Sequence, residues 1–221
     1  ELEKNDDVQA IVMTGAGRFF VAGADIKEFV PALGSYDQGL EMAKAGQALC
    51  DEVEALKKPV VAAINGAALG GGLELAMGCH YRIAAKDAIL GLPELKLGLI
   101  PAFGGTQRLS RLTDIGTAVD IILTGKQLKG DEAKELGIVH QSVELDDLRE
   151  TALATAKALV DGKSMTSVSR ALEAITSGYN DSIENGLKLE RELFAELFLT
   201  DDAKEGINAF VDKRDPEFKH S

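Results

Sequence analysis

The sequence predicts an α/β fold that gives way to a helical C-terminal extension. Two observations carry that reading. Short apolar runs closed by turn residues dominate the first part of the chain, the pattern of buried strands. Leucine, isoleucine, alanine and phenylalanine at helical spacing dominate the last part. A third observation, glycine clustered between the early runs, puts loops where strands hand over to helices.

The elements follow in chain order. Residues 8–13 (VQAIVM) form an apolar run ending at Thr14-Gly15, a buried-strand signal. Residues 14–25 are rich in glycine and alanine and read as a loop. Leu40, Ala43, Leu49, Val53 and Leu56 recur at helical spacing, and Pro59 stops that helix. Val60–Ile64 is a second buried strand, closed by Asn65-Gly66. From Ala67 a glycine run and then good helix formers read as a loop delivering a short helix to Gly78. Tyr81–Ala85 and residues 88–90 are further short strands, and Leu92-Pro93-Glu94 is a turn or strand exit. Gly104-Gly105 opens a helix through Leu112. Leu145, Leu148, Ala152, Ala156 and Leu159 mark one later helix. Ile183, Leu187, Phe194, Leu197 and Phe198 mark another. Thr200 before Asp201-Asp202 is an N-cap signal with an acidic first turn.

Composition narrows the function. Hydrophobic residues at 45% and charged residues at 27% are globular proportions, which argues against disorder. The formal net charge of −12 has the wrong sign for an unspecific nucleic-acid or anionic-membrane binder. Lys44, Lys57 and Lys58 make no dense basic face. Residues 1–130 carry only −3 of that charge and residues 131–221 carry −9, so an anionic ligand suits the first part better. Cys50 and Cys79, without repeat spacing, suggest neither a disulfide framework nor a zinc site, and point to a reducing compartment. Residues 59–81 come nearest to a membrane span, but glycines and Glu74 interrupt them. No secretory signal is visible. The opening residues read like the end of a helix, so the natural start is expected upstream.

Several chemistries drop out. Gly15-Ala16-Gly17 follows a strand but lacks the third glycine of a dinucleotide fingerprint, where Phe20 stands. Gly66 to Gly71 is followed by no Lys-Ser/Thr pair, so it is not a P-loop. His80, His140 and His220 lack ligand spacing, and the first two read as local structural residues. Glu74 is different: it is the only Asp, Glu, Lys or Arg between Pro59 and Tyr81. A carboxylate in such a stretch is costly unless paired or neutral, and burial raises its pKa toward the range useful for acid/base work. An exposed glutamate on a helix rim is the plain alternative. Glu94 also stands alone among apolar residues, with Lys96 as a possible simple partner. Two such carboxylates suggest a pair flanking one reacting centre. Gly70-Gly71-Gly72 at a helix start lets backbone N–H groups approach an anion or oxyanion, or is simply a packing loop.

These residues resemble a known family. Ala22-Gly23-Ala24-Asp25-Ile26-Lys27-Glu28, the run from Asn65 to Ala76, and the run from Leu92 through Gly104-Gly105-Thr106-Gln107-Arg108-Leu109 are similar to the crotonase (enoyl-CoA hydratase/isomerase) superfamily. The match is ordered and extends from about Ala10 to Lys219. It implies a crotonase-like spiral of ββα units over residues 1–142 and a helical extension over 143–221 that makes trimers, often paired into hexamers. It implies an oxyanion hole from the N–H groups of Ala24 and Gly71 for the thioester oxygen of an acyl-CoA. Ala22, Ala24, Asp25, Ile26 and Lys27 would line the CoA site, with Lys27 toward a phosphate. Phe198 and Lys219 match positions that approach CoA from a neighbouring helix or subunit.

Because hydratases of this family carry both glutamates, the resemblance implies reversible addition of water to a trans-2-enoyl-CoA, in fatty-acid β-oxidation or related acyl-CoA degradation. Glu74 would deprotonate water and Glu94 would supply the C2 proton. No metal or other cofactor is implied. The expected compartment is the cytoplasm of a bacterium or the mitochondrial matrix of a eukaryote. The competing readings are another reaction of the family, such as enoyl-CoA isomerisation, and a non-catalytic CoA-binding subunit. Two departures stand out. Ala102 follows Pro101 where many hydratases have glycine, and its methyl would crowd the catalytic water. The strand pair and helix that open the family fold do not precede residues 8–13 here: either the sequence is incomplete or the form is truncated, and a truncated form would have an unprotected sheet edge.

Overall fold

A computed structural model of the chain describes residues 1–220. Its strands are β1 (Ile11–Thr14), β2 (Phe19–Val21), β3 (Val60–Ile64), β4 (Ala67–Leu69), β5 (Tyr81–Ala85), β6 (Ile89–Gly91), β7 (Gln127–Lys129) and β8 (Gln141–Val143). Its helices are α1 (Tyr36–Glu54), α2 (Gly71–Gly78), α3 (Gly105–Leu112), α4 (Ile115–Thr124), α5 (Gly130–Glu135), α6 (Leu145–Val160), α7 (Met165–Tyr179), α8 (Ile183–Leu197) and α9 (Asp201–Asp212). No helix among the described residues is long and apolar enough to cross a membrane.

The strands form two four-stranded sheets, in the orders β1-β3-β5-β8 and β2-β4-β6-β7. Each early strand pair sends its first member to one sheet and its second to the other, and a helix or helical turn follows. This is a repeated ββα unit. Parallel neighbours need a crossover, and the repeat supplies it. β3 pairs with β5 in parallel, from Val61 opposite Tyr81 to Ile64 opposite Ala84. Every residue of β3 is buried, which explains its unbroken apolar sequence. β4 runs parallel to β2 and β6, and the β6–β7 pair is antiparallel.

The chain divides into two compact units. The larger holds Val12–Glu54 and Val60–Ala154; the smaller gathers Glu1–Ile11, Ala55–Pro59 and the residues from Thr155 on. In the larger unit both predicted structural histidines act locally. The Val60 N–H donates to His80 Nδ1 at 2.9 Å, leaving Nε2 to face the Glu54 carbonyl at 3.1 Å. The Arg82 N–H donates to His140 Nδ1, and that ring stacks on Tyr81. Arg82 itself is buried and donates to the Ile138, Cys79 and Met77 carbonyls. In the smaller unit α7 packs along α8. Buried Asp202 accepts from Ser164 Oγ at 2.6 Å and from the Lys219 N–H at 2.7 Å, tying α9 to the start of α7 and to the C-terminal segment. Thr200 caps α9 as expected, accepting from the Ala203 N–H.

Three expectations about elements need correcting, and two strands were not foreseen. The first strand begins at Ile11, because the Val8 N–H is used in a turn with the Asn5 carbonyl. Residues 14–25 contain β2, and the run after Asn65 contains β4; these two short strands exist because they pair with each other. Neither β7 nor β8 was expected. Both are three residues long and mainly polar, so they carry no apolar run to read.

Candidate active site

The site is built where α2 begins. The Gly70 N–H donates to the Gly91 carbonyl at 2.9 Å, and Gly70 then takes φ of +54°, a conformation that favours glycine. That turn starts α2 at Gly71. Gly72 closes in on β2: a Cβ there would stand 1.9 Å from the Val21 carbonyl oxygen. The tight approach sets Gly71 beside Ala24. A Cβ built on Gly71 lies 3.8 Å from the Ala24 nitrogen, so the two backbone positions expected to hold an oxyanion are neighbours. Gly71 sits in the first turn of α2, where N–H groups lack intrahelical acceptors.

One turn on, Glu74 is 2% exposed. Its Oε1 accepts from the Phe103 N–H at 2.8 Å and the Gly105 N–H at 2.7 Å. Burial drives its pKa up to about 7; the Gly105 hydrogen bond opposes that rise and the nearby Glu94 charge adds to it. Gly105 cannot be larger without movement, since a Cβ would stand 2.7 Å from Pro101 and 2.8 Å from Glu74 Oε1. Glu94 opens a short 3₁₀ turn, Glu94–Leu97, after Pro93. Its Oε1 packs against Gly70, and its Oε2 is buried with no hydrogen-bond partner. Burial raises its pKa as well.

Both glutamates, Ala22, Ala24, Ile26 and Gly71 line one cavity of about 240 Å³, with Phe29, Leu97, Leu99, Ile100, Ala102 and Phe103 among its apolar walls. The arrangement can exchange protons across an apolar space and hold negative charge on backbone N–H groups. Among the described residues, no group of three or more His, Cys, Asp or Glu side chains could hold a metal ion.

The sequence profile described as "Enoyl-CoA hydratase/isomerase" matches residues 1–221. The chain belongs to the enoyl-CoA hydratase/isomerase family. A relative from Bacillus subtilis, named probable enoyl-CoA hydratase, is 48% identical over 99% of this chain and 84% of its own length. A short-chain-enoyl-CoA hydratase from Clostridium acetobutylicum is 42% identical, over 97% of this chain and 81% of its own. The crystal structure of enoyl-CoA hydratase from Bacillus anthracis superposes with a TM-score of 0.90 at 39% identity, over all of this chain and 84% of that one. The fold is therefore the crotonase fold of this family.

Four other residues expected at the site do not line this cavity. Asp25 and Lys27 are exposed and do not form the cavity wall; Asp25 Oδ1 caps the 3₁₀ turn Ile26–Ala32 by accepting from the Lys27 N–H. Phe198 and Lys219 belong to the smaller unit. Phe198 is exposed and meets Phe194 edge to face, and Lys219 is fixed through its N–H on Asp202.

Three residues that support the site were not singled out. Phe103 and Gly105 hold Glu74 through backbone N–H groups, which no side-chain motif reveals. Arg108 donates to Glu54 Oε2 at 2.9 Å, Asp51 Oδ1 at 2.6 Å and the Phe103 carbonyl at 3.2 Å, bracing that loop against α1. All three lie in the motif run from Leu92 to Leu109, but the motif gives them no role.

Proposed function

We propose that the chain is an enoyl-CoA hydratase, adding water reversibly across the double bond of a trans-2-enoyl-CoA to give a 3-hydroxyacyl-CoA. One observation carries the reading: the buried carboxyl of Glu74 and the half-buried carboxyl of Glu94, both with raised pKa, line one apolar cavity beside the Ala24–Gly71 backbone pair. In hydration the Glu74 carboxylate takes a proton from water as its oxygen bonds to C3. The electron pair of the double bond moves onto the thioester as an enolate, which the N–H groups of Ala24 and Gly71 stabilise. Protonated Glu94 then delivers its proton to C2. A proton passing from Glu74 to Glu94 resets the pair, and dehydration runs the same steps backward. Burial raises the pKa of both carboxyl groups, which favours keeping a proton within the pair. The chemistry asks for no metal or redox group.

Ala22, Asp25, Ile26 and Lys27 are assigned to CoA, with the Lys27 ammonium toward a phosphate, and Phe198 and Lys219 to CoA contacts completed by assembly. The assembly proposed is a homotrimer or a dimer of trimers, formed through the helical C-terminal region. The test is steady-state hydration of crotonyl-CoA. Glu74→Gln and Glu94→Gln are each expected to lower kcat by about 10²-fold or more, with the fold intact. Near-wild-type turnover in either variant would overturn the assignment. Conversion of a 3-enoyl-CoA to the 2-enoyl isomer without hydration would favour an isomerase. Tight acyl-CoA binding with no turnover would mark a non-catalytic subunit.

A further inference from the structure

We infer that the ring of Phe103 limits this site to short acyl chains, and that Gly46 is the residue in α1 that makes room for that ring. The inference rests on the hydratase reading above. Phe103 has two separable roles. Its N–H holds Glu74, whereas its side chain forms part of the cavity wall. One edge of the ring faces the reacting end of the site: a Cβ built on Gly71 would lie 3.1 Å from Cδ2 and 3.2 Å from Cε2. The opposite edge enters α1. A Cβ built on Gly46 would lie 2.1 Å from Cδ1 and 2.2 Å from Cγ, distances no real methyl tolerates.

Gly46 is buried in the interior of α1, where glycine weakens a helix and alanine is the better former. The helix therefore carries a weak residue at the one place where the ring presses in. The loop bearing the ring is also tethered on both sides. Gln47 Nε2 donates to the Ala102 carbonyl at 2.9 Å, and Arg108 Nη1 donates to the Phe103 carbonyl at 3.2 Å. The ring is a fixed partition between α1 and the start of α2, and an acyl chain cannot readily swing it aside. The cavity that the ring lines, together with Gly71, Glu74 and Glu94, measures about 240 Å³. A four-carbon enoyl group suits that space, and a chain much longer meets the ring.

The experiment compares kcat/KM for crotonyl-CoA and trans-2-decenoyl-CoA in wild type, Phe103→Ala, Phe103→Leu, Gly46→Ala and the Gly46→Ala/Phe103→Leu double variant. Wild type should prefer crotonyl-CoA. Phe103→Ala should move the ratio toward decenoyl-CoA by about tenfold or more, and Phe103→Leu by less. Gly46→Ala alone should lower crotonyl-CoA turnover, and should cost less when Phe103 is already leucine. Should Phe103→Ala fail to fold, the Phe103→Leu ratio decides. An unchanged ratio in the Phe103 variants, or strictly additive effects of the two sites, overturns the inference while leaving the hydratase reading standing. A wild-type chain that hydrates neither substrate overturns the hydratase reading itself.

Discussion

Burial raises the pKa of Glu74 in the folded chain, and this has a measurable consequence. Its folded pKa of about 7 lies above the ordinary 4.5. Between those values the folded chain keeps a proton that the unfolded chain has released. Stability from this group therefore falls as pH rises through that window, and is level above it. Urea unfolding at about pH 5 and about pH 8 should show a larger loss in wild type than in Glu74→Gln. An equal loss in both would mean that Glu74 is not held neutral. The same residue shapes catalysis. Hydration needs Glu74 ionised and Glu94 protonated, so kcat/KM for crotonyl-CoA should be bell-shaped in pH, with apparent values that belong to the pair. Glu74→Gln should abolish that profile along with the activity.

At the scale of elements, the site depends on α2 approaching β2 and on α1 bracing the loop before α3. Gly72→Ala would put a methyl 1.9 Å from the Val21 oxygen, so β2 and α2 must separate. The expected loss is about 1–3 kcal/mol of stability, read from denaturant midpoints, together with a drop in turnover as Gly71 leaves Ala24. Arg108→Met removes the charged hydrogen bonds to Asp51 and Glu54 and the bond to the Phe103 carbonyl. A loss of about 1.5–3 kcal/mol is expected. Because the freed loop is the one that holds Glu74, kcat should fall more than KM rises. A variant with wild-type kcat would show that α1 bracing does not position Glu74. These elements also show how reading from sequence succeeds and stops. β3 was legible because a fully buried strand is apolar throughout, and β5 because its buried residues are apolar apart from Arg82. β2, β4, β7 and β8 were not, because a three-residue strand is defined by the partner it pairs with.

At the scale of the whole molecule, the smaller unit exposes more apolar surface than a solitary chain needs. Leu199 is 88% exposed and Phe210 86%, with Phe194, Phe198 and Val211 also exposed. Large exposed apolar surface marks association. Sedimentation equilibrium should give three or six times the chain mass, and Phe210→Glu should shift the population toward monomer. A monomeric wild type at micromolar concentration would sink the proposed assembly.

What the sequence determined by itself was the order of apolar runs and glycines, the helical end of the chain, and the standing of Glu74 and Glu94 within apolar stretches. Those features are local, because periodicity and composition act over a few residues. Only the tertiary structure decided that Glu74 is bound by Phe103 and Gly105, that Glu94 Oε2 is buried without a partner, and that Phe103 stands between Gly46 and Gly71. A proton's place on a carboxyl depends on solvent exclusion and on donors brought from distant parts of the chain. No local pattern records that distance closing.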